Sequence, residues 1–226
     1  MTQKSVRPEV LRALQTLNTP TVSNAIETFD VRPRSTGFMS SDVRCALPDL
    51  GVMIGYAATA KIRATLQPEP GVAVNRRLMW EHILSMPEPR VVVIQDLDEM
   101  PIGSFWGEVN ANIHRALGCV GTVTNGGVRD LDEVEALGFH LFASHIQVSH
   151  AYVHVVEVGT PVEVGGMTIN PGDLLHGDKH GITDIPLDIA DKVFQAAMDV
   201  EARERRIINL CKSPEFSIDK LSELYG

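Results

Sequence analysis

Residues 90–95 read RVVVIQ, Arg90 through Gln95, with Pro89 on one side of the run and Asp96 on the other. Apolar residues at consecutive positions leave such a segment no polar face, so it predicts a strand covered on both sides, in the middle of a sheet. Outward toward the N-terminus, residues 51–64 (GVMIGYAATAKIRA) are small, apolar or β-branched and predict a second strand. A Pro/Gly turn at residues 67–71 and a helix near residues 75–86 follow. Outward toward the C-terminus come a predicted helix at residues 107–117, a strand at 119–124 and a short helix at 130–137. Strand and helix alternate, which argues an α/β domain with parallel pairing.

Past Gly138 the pattern changes to strands and turns, at residues 151–158, 161–164 and 167–169, with Asn170–Pro171–Gly172–Asp173 as a turn. This predicts an antiparallel sheet or small barrel closing on the α/β part. At the other end, Val10, Leu11, Leu14 and Leu17 mark one face of a helix over residues 8–17, which Asn18 stops. Thr19 reads as an N-cap before Pro20, opening a second helix through Val22, Ala25 and Ile26 toward Phe29. Residues 31–51, with Arg32, Pro33 and Arg34, read as a long irregular connection, a length more often functional than idle. The tail at residues 187–212 is an amphipathic helix on Ile189, Val193, Phe194, Ala197 and Val200. Ser213–Pro214 ends it, and Ser217 caps a last short helix to Tyr225. With no internal repeat or linker, the expectation is one domain over residues 1–226, with helical extensions at 1–30 and 187–226.

The chain has 226 residues, 20 Lys and Arg against 29 Asp and Glu, a net charge of −9 and 44% hydrophobic residues. The acidic balance disfavours a nucleic-acid partner, which needs clustered Lys and Arg. No stretch approaches the ~18 consecutive apolar residues of a membrane span, and the N-terminus lacks the pattern of a secretory leader. Cys45, Cys119 and Cys211 are odd in number and far apart, which argues against a disulfide framework or a thiolate metal site and for a reducing compartment, the cytoplasm.

Chemistry concentrates at residues 121–130 (GTVTNGGVRD), where a β-branched strand meets Asn125–Gly126–Gly127, whose glycines let the backbone turn tightly or approach a ligand closely, and presents Arg129 and Asp130 at a helix start. An Asp there can hold a hard cation while the guanidinium neutralises substrate oxygens. The competing reading is a capping box, since Asp130 and Glu133 have that spacing. A second segment, Gly103 to Asn110 (GSFWGEVN), is a glycine-flanked loop leading into a helix whose free amides suit a carboxylate or phosphate. Its plain reading is a loop in which Phe105 and Trp106 plug the core. Both segments lie at strand-to-helix transitions, where open α/β sheets place ligands.

Gly107–Glu108, the spacing onward to Asn125–Gly126–Gly127–Val128–Arg129–Asp130, and Pro171–Gly172–Asp173 with Asp178 and Gly181 resemble the RraA-like family. The resemblance runs from about Thr19 to Pro186. Longer members of that family are metal-dependent class II pyruvate aldolases acting on 4-hydroxy-4-methyl-2-oxoglutarate and 4-carboxy-4-hydroxy-2-oxoadipate. It implies a single three-layer α/β domain like the swivelling phosphohistidine domain, here with extra terminal helices. It further implies that Gly107, Glu108, Val109 and Asn110 bind the pyruvyl carboxylate through amides, that Arg129 contacts the 2-oxo oxygen, and that Asp130 ligates Mg²⁺ or Mn²⁺. Retro-aldol cleavage of a 4-hydroxy-2-oxo acid and decarboxylation of oxaloacetate then share one enolate. Trimers or dimers of trimers are the assemblies it implies. Shorter relatives include regulators that bind ribonuclease E, and this is the alternative reading. The methyltransferase label attached to such sequences lacks its glycine-rich cofactor loop here.

The histidines depart from the family pattern. His140, His145, His150 and His154 crowd fifteen residues, and His176 and His180 bracket Asp178. Period-2 spacing puts His150 and His154 on one strand face, suggesting a second metal site or a general base. The pair Asp178 and His180 is the first choice for a secondary role. Lys61 and Lys179 are the lysines considered for a Schiff base, and for Lys61 the reading favoured over it is snorkelling to the surface. Arg32 and Arg34 read as binders of a distal carboxylate or as solvated loop charges.

Overall fold

The computed structural model describes residues 5–225, so residues 1–4 and Gly226 of the expected extensions lie outside the described residues. The chain runs α1 (Pro8–Leu14), α2 (Thr19–Glu27), β1 (Arg44–Cys45), β2 (Met53–Arg63), α3 (Arg76–Ser85), β3 (Arg90–Asp96), β4 (Ser104–Trp106) and α4 (Glu108–Ala116). It continues β5 (Cys119–Val128), α5 (Leu131–Leu137), β6 (His140–Ile146), β7 (His154–Val158), β8 (Val162–Val164), β9 (Met167–Ile169), β10 (Leu174–Asp178), β11 (Gly181–Ile185), α6 (Ala190–Cys211) and α7 (Ile218–Tyr225).

β3 is the central strand that its apolar run predicts. It pairs in parallel with β2 on one side (Val92 opposite Ala58) and β5 on the other (Val92 opposite Thr122). The full order is β1-β6-β5-β3-β2-β10-β11, with β6 also parallel to β5. The second edge of β2 is shared: β10 pairs antiparallel with its first half and β7 with its second. Burying each of Val91, Val92, Val93 and Ile94, all fully covered, contributes roughly 1.5–3 kcal/mol.

Alternation along β2 builds the layers. Ala58, Ala60 and Ile62 face the helical side, with Met79 and Ile83 of α3, Ala111 of α4 and Val134 of α5. Ile54 and Tyr56, on the same face, meet Leu14, Val22, Ile26, Val193 and Ala197 of α1, α2 and α6. Ala57 faces the other way, where Val91, Val93, Val123 and Phe142 lie under the β8–β9 hairpin with Val162, Val164 and Ile169. Helices, sheet and hairpin make the three layers.

Several local expectations are corrected. α1 stops at Leu14, and Leu17 is buried from the turn beyond it. Asn18, not Thr19, is the N-cap of α2: its Oδ1 accepts the Thr21 amide at 2.9 Å, because an Asn side chain reaches the first-turn amides as Thr would. Residues 125–127 do not turn. β5 continues through them to Val128, absorbing the glycines as an irregularity in register between Thr124 and Gly127. β7 begins at His154, so His150 lies in the turn before it and the two histidines share no strand face. Periodicity does not predict β4, β6, β10 or β11: β4 is three residues long, β10 is buried throughout, and β6 and β11 do not alternate. Ser217 does cap α7, its Oγ accepting the Lys220 amide at 3.2 Å.

Candidate functional site

The last residues of β5 carry the chain to the C-terminal edge of the parallel strands, where Arg129 and Asp130 follow. β4 lies alongside, Ser104 opposite Gly127 and Trp106 opposite Val128, so the start of α4 arrives beside the end of β5. The Arg129 amide donates to the Trp106 carbonyl at 3.1 Å, fastening the two segments. Asp130 has φ 56°, the left-handed region. That turns its carboxylate away from the amides of α5, where it makes no capping bond. Instead, Oδ2 accepts the amide of Glu108 at 2.9 Å and lies 3.8 Å from Arg129 Nε. The capping box with Glu133 is therefore corrected: Asp130 caps a helix, but α4 rather than its own.

Gly107 is what permits this approach. A Cβ there would stand 2.4 Å from Asp130 Oδ2 and 3.1 Å from Arg129 Nε. The backbone of Gly107 is extended, at φ −163°, so space and not conformation excludes a side chain.

Around these groups lies a cleft of about 500 Å³, closed by the start of α3 and by residues 150–154. Arg129 and Asp130 are each 37% exposed in it. Of the amides expected to bind a carboxylate, that of Glu108 is already taken by Asp130, while those of Val109 and Asn110 fall in the first turn of α4, ahead of its first intrahelical bond, Ala111 to Gly107. The Asn110 side chain is engaged locally, donating to the Phe105 carbonyl and accepting from Arg76 Nη1 at 3.4 Å. Sequence reasoning missed Arg76. Its guanidinium sits 5.6 Å from the centre of the Phe105 ring and lines the cleft, and among the described residues it has no carboxylate partner. Asn75 capping α3 was the signal that places it, since the residue after a cap projects from the first turn.

Among the described residues no group of three or more His, Cys, Asp or Glu is placed to hold a metal ion. His150 and His154 therefore belong to no such group, and the shared strand face that suggested one is absent because β7 begins at His154. A single carboxylate still fits Mg²⁺, which keeps several waters and takes one or two protein oxygens together with substrate. Asp130 Oδ1, which has no partner among the described residues, is the oxygen available for it.

The secondary candidates lie elsewhere. Asp178 and His180 sit where β10 pairs with the start of β2, at the opposite end of the parallel strands from Asp130. Asp178 Oδ2 accepts the Thr19 amide at 3.0 Å and Oδ1 accepts the His180 amide at 2.8 Å. Burial opposes its charge, but these amides and the His180 ring outweigh it and hold the carboxyl below its usual value. His176 is buried between Thr19 Oγ1 and the Leu14 carbonyl. Lys61 is half-buried and paired with Glu157 at 2.7 Å, so it neither snorkels freely nor offers a free amine. Arg32 is held by Asp184, Gly37 and Thr183, so it is a paired and not a solvated loop charge. Arg34 pairs with Glu27 at 3.5 Å on the surface.

A further missed group is Asp96, at the C-terminal end of β3. It is buried, its Oδ2 has no hydrogen-bond partner among the described residues, and burial raises its pKa to about 6. An acid closing a two-sided apolar strand was the available signal. Burial lowers His114 and His140 to about 4.

The RraA-like family model, described as Aldolase/RraA, matches residues 19–183. The protein DlpA of Legionella pneumophila is 23% identical over 214 residues, 91% of this chain and 32% of that protein. A Halalkalibacterium halodurans protein named "Putative 4-hydroxy-4-methyl-2-oxoglutarate aldolase" is 34% identical over 124 residues, 53% of this chain and 59% of that protein. The chain thus spans about a third and about three fifths of the length of these two curated relatives. Among solved structures, an uncharacterized protein of Pseudomonas syringae pv. tomato superposes with TM-score 0.75 at 24% identity, covering 100% of this chain and 96% of that one. RraAS2 of Streptomyces coelicolor, described as an unusual member of the RNase ES inhibitor RraA protein family, superposes with TM-score 0.70 at 20% identity, covering 89% and 96%. At these identities the two structures speak for the fold alone. Among the described residues no helix is long and apolar enough to cross a membrane.

Proposed function

The chain belongs to the RraA-like family, and from that premise we propose that it is a divalent-metal-dependent lyase cleaving a 4-hydroxy-2-oxo acid to pyruvate and a carbonyl product. The observation that carries this reading is the meeting of Asp130, Arg129 and the first turn of α4 in one open cleft, Asp130 Oδ2 being 2.9 Å from the Glu108 amide and 3.8 Å from Arg129 Nε. In it the amides of Val109 and Asn110 receive the pyruvyl carboxylate, with Gly107 leaving room for the approach. Arg129 donates to the 2-oxo oxygen, where negative charge develops as the bond breaks. Asp130 would hold Mg²⁺ or Mn²⁺, which when bound would supply a Lewis acid for the charge that Arg129 also neutralises. The Glu108 amide and the left-handed turn at Asp130 fix the carboxylate in advance of substrate, so little reorganisation accompanies the reaction.

Decarboxylation of oxaloacetate passes through the same enolate and is an expected side activity. The relatives described as ribonuclease inhibitors supply the second reading, a non-catalytic binder. Intact Arg129 and Asp130 in an open cleft favour catalysis over it. Val109, Ile146, Val148 and Tyr152 are exposed apolar side chains near this end of the sheet, a surface that suits contact with a second copy of the chain. The trimer or dimer of trimers is carried over from the family resemblance, and the cytoplasm from the free cysteines. The test is pyruvate release, coupled to lactate dehydrogenase, from 4-carboxy-4-hydroxy-2-oxoadipate and from oxaloacetate, with Mg²⁺ and after EDTA. Metal-dependent pyruvate from either supports the lyase; none from both leaves the family and removes the activity.

A further inference from the structure

Retro-aldol cleavage moves one proton, from the C4 hydroxyl of the substrate to C3 of the departing pyruvate, and Arg129 and Asp130 leave that task unassigned. Arg129 does not deprotonate in proteins, and Asp130 is committed to the Glu108 amide and, in the reading above, to the cation.

His150 lines the same cleft, in a turn that is held on several sides. The Val148 carbonyl accepts from Arg129 Nη1 at 3.3 Å, the Ser149 carbonyl accepts the Ser104 amide at 2.9 Å, and Ser149 Oγ accepts the Ala151 amide at 3.0 Å. Ala151 has φ 45°, a left-handed conformation that a residue with a side chain adopts only when its surroundings impose it. The His150 ring is fixed in turn. Its Nδ1 lies 2.7 Å from the Ala151 carbonyl oxygen, and since a carbonyl only accepts, Nδ1 carries the proton of the neutral ring. Nε2 therefore keeps its lone pair, with no partner among the described residues, which is the tautomer a base requires. His154 has a similar bond, Nδ1 to the Tyr152 carbonyl at 2.8 Å, but it belongs to β7 and also borders the neighbouring hollow around Arg63 and Glu69. His150 stands two residues from the carbonyl that Arg129 holds.

The geometry points to His150 as the proton-transfer residue of this cleft, an inference that rests on the lyase reading. Nε2 takes the C4 hydroxyl proton, and the O–H electron pair becomes the π bond of the product carbonyl. The C3–C4 bond breaks and its pair becomes the C2–C3 π bond of the enolate, with the charge on the 2-oxo oxygen. The proton then passes from Nε2 to C3, the 2-oxo group re-forms, and no oxidant or reductant is needed.

The reverse of that last step exchanges the methyl protons of pyruvate, so the test needs no knowledge of the carbonyl half. Pyruvate is incubated in D₂O with Mg²⁺ and its methyl signal followed by proton NMR. His150→Ala should exchange at least about 100-fold more slowly than the parent, the scale of general acid–base catalysis, and added imidazole should restore about tenfold. Oxalate, a planar mimic of the enolate, should bind the variant within about threefold of the parent, as loss of a transfer group and not of the site requires. Near-parental exchange in His150→Ala, a loss that imidazole does not restore, or a loss confined to His154→Ala overturns the assignment of His150. If the parent protein exchanges nothing with Mg²⁺ present, the lyase reading itself fails.

Discussion

At the C-terminal edge of the parallel strands, Asp130 lines the cleft and is 37% exposed, with one oxygen on one amide and the other without a partner among the described residues. At the opposite end, Asp178 is 7% exposed and both its oxygens accept amides, from Thr19 and from His180. Both lie at strand ends, both neighbour a basic residue, and both are read from the sequence as site candidates. What separates them is the use of their lone pairs. A carboxylate whose acceptors are all satisfied by backbone holds the fold together, whereas one with an oxygen to spare in a cleft can take a ligand.

The sharpest way to break that comparison is to remove each in turn. Asp130→Ala should abolish metal-dependent pyruvate release, Asp130→Asn should do nearly as much because an amide ligates hard cations poorly, and Arg129→Ala should lower turnover at least ~100-fold. Normal turnover in any of the three moves the site. Gly107→Ala leaves every charged group in place but puts a methyl 2.4 Å from Asp130 Oδ2. A displacement on that scale should reduce turnover roughly 10- to 100-fold, with a melting temperature close to the parent's.

Asp178→Ala should show the reverse pattern, unchanged turnover per folded molecule with stability lower by about 1–3 kcal/mol for each amide left unpaired. The Asp178 carboxyl is held below its usual value, so its contribution is present above the pKa of the unfolded chain and fades as pH falls through the folded value. Denaturant melts of Asp178→Ala and parent should therefore converge in acid and diverge at neutral pH. Asp96 has the opposite sign. Its pKa rises from 3.8 to about 6 on burial, so its stability contribution is full below pH 3.8 and is lost as pH rises through about 6. The gap corresponds to about 3 kcal/mol, of which Asp96→Asn should recover about 2 at pH 8 and almost nothing at pH 4, the amide still lacking a buried partner. A variant less stable than the parent at pH 8 would show that Asp96 is held as a charge.

The parallel core was legible because residues 91–94 are apolar without interruption and because a helix pattern followed each strand. Arg129 and Asp130 were legible as a pair beside a glycine-marked helix start. Three things were not. The glycines at 126 and 127 resemble a turn in sequence, yet edge pairing with β4 and β6 keeps them extended. The competing reading of Asp130 as a cap for its own helix fails because nothing local reveals that a left-handed φ swings the carboxylate toward Glu108. The histidines could be counted but not placed: His114 and His140 are core groups, His176 and His180 brace the far end, and only His150 and His154 reach the cleft. Each failure concerns a contact between residues distant in the chain, where local spacing carries no information.

The central claim is that the open oxygen of Asp130 is a metal ligand serving pyruvate-forming chemistry. Its most direct test is pyruvate release by the parent, Asp130→Asn and Asp178→Asn side by side, across a Mg²⁺ titration begun from the EDTA-treated protein. The account predicts saturable Mg²⁺ dependence for the parent and for Asp178→Asn, and background pyruvate at every Mg²⁺ concentration for Asp130→Asn. Pyruvate release by Asp130→Asn with the parent's Mg²⁺ dependence would contradict it.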